Sequence, residues 1–160
     1  SAYVFLGNEP TLRAPWIYHW LGRPDKAQSI VRRAQIGLYG AGPGGLPGND
    51  DGGTMSAWFV LSALGLSPVI PGTDVMPLGS PLFPRASLNL QGHRLQVRAA
   101  GADRKRPYVK SLRISGGKWA KPWIHVRRLL RGGRMNWKLS SSPSAWGRGK
   151  TLAPPSFGDR

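Results

Sequence analysis

Two stretches of this chain place oxygen-rich side chains together at turns. Gly48-Asn49-Asp50-Asp51 lies in a Gly/Pro-rich loop just ahead of an apolar run, and Gly7-Asn8-Glu9-Pro10 stands ahead of another. The chain has only seven acidic residues among 160 and a formal net charge of +16, so two adjacent carboxylates are a large share of its negative charge. Adjacent like charges repel, and a fold keeps them where they cap a helix, hold a cation or do acid–base chemistry. Carboxylates and side-chain carbonyls are hard oxygen ligands suited to Ca²⁺. The same groups hydrogen-bond sugar hydroxyls, and an unblocked carboxylate can activate water as a general base. The simpler reading of Asp50 and Asp51 is a helix cap with an Asx turn, for which one Asp suffices. For Glu9 it is a negative charge favoured at a helix N-terminus.

Other residue patterns carry less chemistry. His19, His93 and His125 are far apart and lack metal-ligand spacing. The chain has no Cys, which excludes disulfides and thiolate metal sites. Gly40-Ala41-Gly42-Pro43-Gly44-Gly45 lacks the Lys-Ser/Thr and the preceding strand of a phosphate loop. Ser56 follows no nucleophile-elbow pattern. Trp16, Trp20 and Trp58, with Tyr3 and Tyr18, stand near the carboxylates in sequence. Aromatic faces suit carbohydrate, but core packing more often explains an aromatic on a buried helix face.

These residues need elements to position them. A helix is predicted from Pro10, with Leu12, Trp16, Ile17, Trp20 and Leu21 as its apolar positions and Gly22 as its stop. Pro15 must stay in its first turns or bend it. Pro24 opens a second helix with an apolar stripe of Ala27, Ile30, Val31, Ala34 and Leu38; Lys26, Arg32 and Arg33 lie off the stripe, and Gly40 closes it. A third, almost wholly apolar helix runs from Thr54 to Leu64 and stops at Gly65. From Pro68 the texture becomes β-rich. Strands are predicted over Ser87–Leu90, Leu95–Ala99, Tyr108–Ile114 and Met135–Leu139, with turns at 115–118 and 131–134 and His93 in a hairpin turn. The Ser/Pro/Gly-rich stretch from Ser140 reads as loosely ordered, with 151–160 as a flexible tail. The fold class is α+β: residues 1–71 helical, residues 72–150 β-rich, neither half a complete core by itself. The chain reads as a C-terminal portion of something larger.

Charge divides along the same boundary. Residues 1–71 carry five Lys/Arg against four acids, and residues 72–160 carry eighteen against three. A half with a net charge of +15 offers itself to polyanions, so a non-catalytic basic module binding carbohydrate or a polyanion is the alternative reading. No nucleic-acid motif accompanies the charge, and no run of 18 apolar residues provides a membrane span. No signal peptide is visible.

Gly7-Asn8-Glu9-Pro10-Thr11, Trp16-Ile17-Tyr18-His19-Trp20-Leu21-Gly22-Arg23-Pro24 and the long block Gly45-Leu46-Pro47-Gly48-Asn49-Asp50-Asp51-Gly52-Gly53-Thr54-Met55-Ser56-Ala57-Trp58-Phe59-Val60 together resemble the C-terminal portion of glycoside hydrolase family 92, the calcium-dependent exo-acting α-mannosidases. Gly79-Ser80-Pro81-Leu82-Phe83 matches a further block. The resemblance implies the last helices of an (α/α)₆ barrel followed by a β-rich segment, with an N-terminal β-sandwich and upstream helices elsewhere in the parent protein. It implies hydrolysis of terminal α-mannosides, often α-1,2-linked, with inversion, by a protein that is secreted, periplasmic or at the cell surface. An inverting pair of carboxyl groups stands about 6.5–9.5 Å apart to admit water. Asp51 is then the first candidate for the general base and Asp50 the second. Glu9 then matches a residue near the sugar and metal; Asn8, Asn49, Trp16 and Trp58 are the further candidates for sugar contact, and Asn49 and Glu9 are the candidate Ca²⁺ ligands. The family's general-acid Glu belongs to a segment upstream of position 1, so this chain alone is expected to be inactive. Leu12-Arg13 stands where many members have His, and Gly52 where they have Cys or a similar residue.

Overall fold

A computed structural model describes residues 6–156. Tyr3 and the last four residues of the expected tail lie outside the described residues. The helical part comprises α1 (Glu9–Leu12), a 3₁₀ turn over Ala14–His19, α2 (Pro24–Gly37) and α3 (Thr54–Ala63). The single helix predicted from Pro10 is therefore two short pieces. Pro15 lacks an N–H, and the chain passes into a tighter 3₁₀ path rather than extending α1. Leu12, Trp16, Val31, Ala34, Met55 and Trp58 bury together as the core of this part.

Among the described residues the remainder holds seven strands: β1 (Val75–Pro77), β2 (Arg85–Leu90), β3 (His93–Ala100), β4 (Tyr108–Ile114), β5 (Gly117–Trp119), β6 (Trp123–His125) and β7 (Gly133–Ser140), with a short helix α4 (Val126–Leu130) and a 3₁₀ turn over Lys150–Leu152. One sheet runs β2-β3-β7-β4-β5, and β1 pairs with β6 in a second. All pairs are antiparallel except β3 with β7. The four predicted strands exist, three of them longer than expected; β1, β5, β6 and α4 are too short to leave a pattern in the sequence. His93 begins β3 rather than sitting in the turn, because Gln91 and Gly92 alone make the reversal, both at positive φ. Ser115-Gly116 makes a second turn of that form, which places Gly117 and Lys118 in β5.

Alternation puts Leu95, Val97, Ala99, Val109, Leu112, Ile114, Met135 and Trp137 on one face of the large sheet, where Leu66, Leu78, Ile124 and Leu129 cover them. Two buried polar side chains of α2 join the halves. Gln28 Oε1 accepts the Val109 amide at 3.0 Å. Arg32, predicted off the buried stripe, is only 2% exposed. Its guanidinium donates to the carbonyls of Ser80, Pro81 and Asp103 and to the Ser80 hydroxyl. His19 is also fully buried, with Nε2 2.9 Å from the Leu78 carbonyl and Nδ1 3.1 Å from that of Trp16; burial holds its pKa below the ordinary value despite both carbonyls.

The stretch after Ser140 corrects the expectation of loose order. Ser144 Oγ donates to the Val109 carbonyl at 2.6 Å, and Trp146 Nε1 to that of Trp119 at 2.8 Å. Arg148 pairs with Asp25 at 3.0 Å, and the Gly149 amide reaches the Gly22 carbonyl at 3.1 Å. Trp123 and Trp20 then donate to Leu152 and Pro155. The segment is a strap from the sheet back to the start of α2, held by backbone carbonyls that composition does not reveal.

Candidate active site

The two Gly-Asn-acid loops lie against each other. A Cβ built on Gly48 would stand 2.5 Å from the Gly7 carbonyl oxygen, so only glycine allows this approach. Glu9 opens α1, and Asp50 and Asp51 precede α3 by a few residues. A cavity of 330 Å³ joins the loops; Glu9, Arg13, Gly52, Gly53, Thr54 and Trp58 are among its lining residues.

The adjacent carboxylates have different environments. The loop folds back over the N-terminus of α3 and satisfies its free amides. Thr54 N donates to the Asp51 carbonyl at 3.4 Å and Met55 N to the Asp50 carbonyl at 3.3 Å. Ser56 N donates to Asp50 Oδ1 at 2.9 Å, and Ser56 Oγ to Asp50 Oδ2 at 2.8 Å. Those two bonds, the amide first, hold the Asp50 carboxyl below its ordinary pKa. Gly53 is the N-cap of α3, so Asp50 acts from outside the helix, meeting the free Ser56 amide of its first turn with both oxygens committed. Asp51 is exposed, and among the described residues no hydrogen bond or ion pair engages its carboxylate. Its backbone sits at φ 50°, and Gly52 and Gly53 follow at 67° and 90°. Asp tolerates this left-handed conformation through its short polar side chain. Sustained positive φ turns the chain sharply between the carboxylate and the helix.

The other predicted residues divide. Asn8 and Asn49 are exposed on the paired loops, and Glu9 is exposed at the cavity. Trp58 lines the cavity but is 8% exposed, donates Nε1 to the Leu12 carbonyl at 2.9 Å and stacks on Tyr39. Trp16 is a correction: it is fully buried, stacks on His19 and lies over Gly79, so it belongs to the core and no sugar reaches it. Five of the seven tryptophans donate to backbone carbonyls, and the other two, Trp16 and Trp137, are almost completely buried. The tryptophan content is structural. Ser56 is the residue at this site that the sequence reading discounted. The cue was its position in the first turn of a helix after an acidic loop, where a hydroxyl and an amide can both meet one carboxylate.

The oxygen donors do not make a calcium centre by themselves. Among the described residues no three His, Cys, Asp or Glu side chains come together to hold a metal. Ca²⁺ takes about six to eight oxygen ligands, and Asp50 is already occupied by Ser56. Asn49 and Glu9 do not complete such a set. Among the described residues no helix is long and apolar enough to cross a membrane.

Comparison with known proteins agrees with the site's sequence pattern. Residues 1–141 match the glycosyl hydrolase family 92 catalytic domain. A secreted glycosidase of Arthroderma benhamiae is 31% identical over 99% of this chain. Among solved structures, a family 92 α-mannosidase of Bacteroides thetaiotaomicron in complex with mannoimidazole superposes with a TM-score of 0.90 at 30% identity over 94% of the chain. An inverting family 92 mannosidase of the same organism gives 0.88 at 34% over 96%. The chain covers 21% of the fungal relative and 20% and 21% of the two bacterial ones, about a fifth of each. The glycine-paired loops, the Asn-Asp-Asp turn ahead of α3 and the match along nearly the whole chain identify it as a member of glycosyl hydrolase family 92.

Proposed function

We propose that this chain is the C-terminal part of an exo-acting α-mannosidase that hydrolyses terminal α-mannosides with inversion, and that Asp51 is its general base. One observation carries the assignment: Ser56 occupies both oxygens of Asp50, while Asp51 is exposed with its carboxylate unengaged, one residue ahead of Gly52, which lines the Glu9 cavity. A base must present a free lone pair to water, and Asp51 does so without dismantling the bonds to Ser56. In this reading Asn8, Glu9 and Asn49 hold sugar hydroxyls, and Trp58 backs the cavity with its ring edge. The general acid comes from outside this chain, with the distance between the pair leaving room for a water. The helices are the closing helices of an (α/α)₆ barrel. The exposed Ile17, Leu21, Val60 and Phe83 are faces on which other helices pack, and Val60 and Phe83 border a 700 Å³ groove with Tyr39 and Phe59. Calcium enters only through family likeness, with ligands completed from outside this chain. Location outside the cytoplasm likewise follows the fungal relative.

The test is hydrolysis of an aryl α-mannoside by the complete protein carrying these residues. Asp51→Asn should lower kcat by about a thousandfold, the range of a lost general base, with an unchanged circular dichroism spectrum. Activity within tenfold of the parent would reject Asp51 as the base. The 160-residue chain alone should give no turnover.

A further inference from the structure

The outward face of the large sheet is cationic without any carboxylate. In register, Arg85 on β2 pairs with Arg98 on β3, Arg98 with Asn136 on β7, Asn136 with Arg113 on β4, and Arg113 with Lys118 on β5. This row crosses all five strands, about 19 Å at the usual strand spacing. Arg94 and Arg134 flank it, next to Gln96. All six cations are exposed, and among the described residues none has an acidic partner. Their neighbours on the face are Ser87, Asn89, Gln96 and Asn136, which donate and accept hydrogen bonds. Two shallow depressions of 490 and 320 Å³ run along it, both bordered by Arg94 and Gln96. Like charges opposite each other across strands destabilise a sheet, and a chain that needed only solubility would not align them in one row.

We infer that this face is a docking surface for an anionic polysaccharide, one whose carboxylate or phosphate groups recur along a linear chain. Charge complementarity points to a polyanion. At its outward positions the face carries a single aromatic ring, the half-buried Tyr108 at the end of β4 opposite Ser140 and away from the cation row, so it lacks the series of stacking platforms with which sheets hold single-stranded nucleic acid. Polar amides and hydroxyls between the cations suit the hydroxyl-rich backbone of a glycan. The choice of a glycan also rests on the α-mannosidase reading, in which this face would hold an enzyme against a charged carbohydrate matrix while the carboxylate loops work on neutral chain ends.

The complete protein carrying these residues, titrated with polygalacturonate, tests this, with neutral dextran, poly(U) and poly-glutamate as comparators. Saturable binding at low salt is expected, with log affinity falling linearly against log salt as counterions are released, and no binding to dextran. The triple variant Arg98→Gln, Arg113→Gln, Arg134→Gln should weaken binding at least about tenfold. The triple Arg→Lys variant at the same positions should retain it. A control with the same loss of charge elsewhere, Lys26→Gln, Arg33→Gln, Lys121→Gln, should stay within about twofold; all variants are compared at equal melting temperature. The inference is overturned by absence of binding at low salt, by equal weakening in the control, or by tighter binding to poly(U) or poly-glutamate at matched charge. Binding is read without hydrolysis, so its failure leaves the Asp51 assignment standing, and loss of the Asp51 assignment leaves this face standing.

Discussion

Two adjacent aspartates with one side-chain chemistry have two environments. Asp50 accepts an amide and a hydroxyl from Ser56, while Asp51 turns outward on a left-handed backbone. The difference predicts opposite behaviour in exchange experiments. Asp50→Ala should speed hydrogen exchange at the Ser56 amide, whereas Asp51→Asn should leave it unchanged; equal acceleration in both would remove the distinction. The pH dependence has a definite sign. Asp50 has a folded pKa below its ordinary 3.8, so its contribution is complete above that value and is lost as pH falls through the folded one. Protection at Ser56 should therefore decline only under acid, at pH below about 4. The pairing of an anomalous Asp-Asp with a second Gly-Asn-acid loop was legible in the sequence. Which aspartate is free was not, because Ser56 reaches Asp50 only once α3 has formed.

At the scale of elements, proline and buried charge set the limits of periodicity. The 3.6-residue pattern of Leu12, Trp16 and Trp20 predicted one helix, and Pro15 divided it. Arg32 shows the opposite failure. A charged residue off an apolar stripe ordinarily faces water, yet here three backbone carbonyls accept from its two terminal amino groups, while Nε is buried without a partner. Burial pulls its pKa to about 10, the charge of Asp103 acting in the other direction, so it remains protonated at neutral pH. Arg32→Ala should lower stability by about 3 kcal/mol, since it leaves the Ser80 and Pro81 carbonyls buried and unpaired. Arg32→Lys should recover only part, because an ammonium cannot span the same acceptors. Urea unfolding midpoints measure both; a loss under about 1 kcal/mol for Arg32→Ala would show that water replaces the guanidinium.

Across the whole molecule, the strap after Ser140 ties the β-rich half to the helical one. Asp25 sits at its anchor. Burial raises its pKa, but the Arg23 hydrogen bond, with the charges of Arg148 and Arg23, outweighs this and holds it below the ordinary value. Trp146→Ala should cost about 2 kcal/mol through lost packing of a half-buried indole and its bond to Trp119. In thermal melts the variant should still unfold in one transition at lower temperature. Independent melting of two units would mean that the strap, rather than the Gln28 and Arg32 bridges, unites the halves.

The sequence by itself determined the family, the α+β class, the sites of the acidic loops and the asymmetry of charge. The family lives in the likeness of whole motif blocks at residues 7–24 and 45–60; the rest lives in local composition: glycine and proline at turns, apolar spacing along helices, alternation along strands and the placing of charge. The tertiary structure decided what depends on distant partners. It released Asp51 by binding Asp50, drew Trp16 into the core, buried Arg32 among carbonyls, bound the tail as a strap and aligned scattered arginines into one row. Those outcomes rest on contacts between residues tens of positions apart, and the desolvation and hydrogen bonding that fix them do not exist until the halves meet.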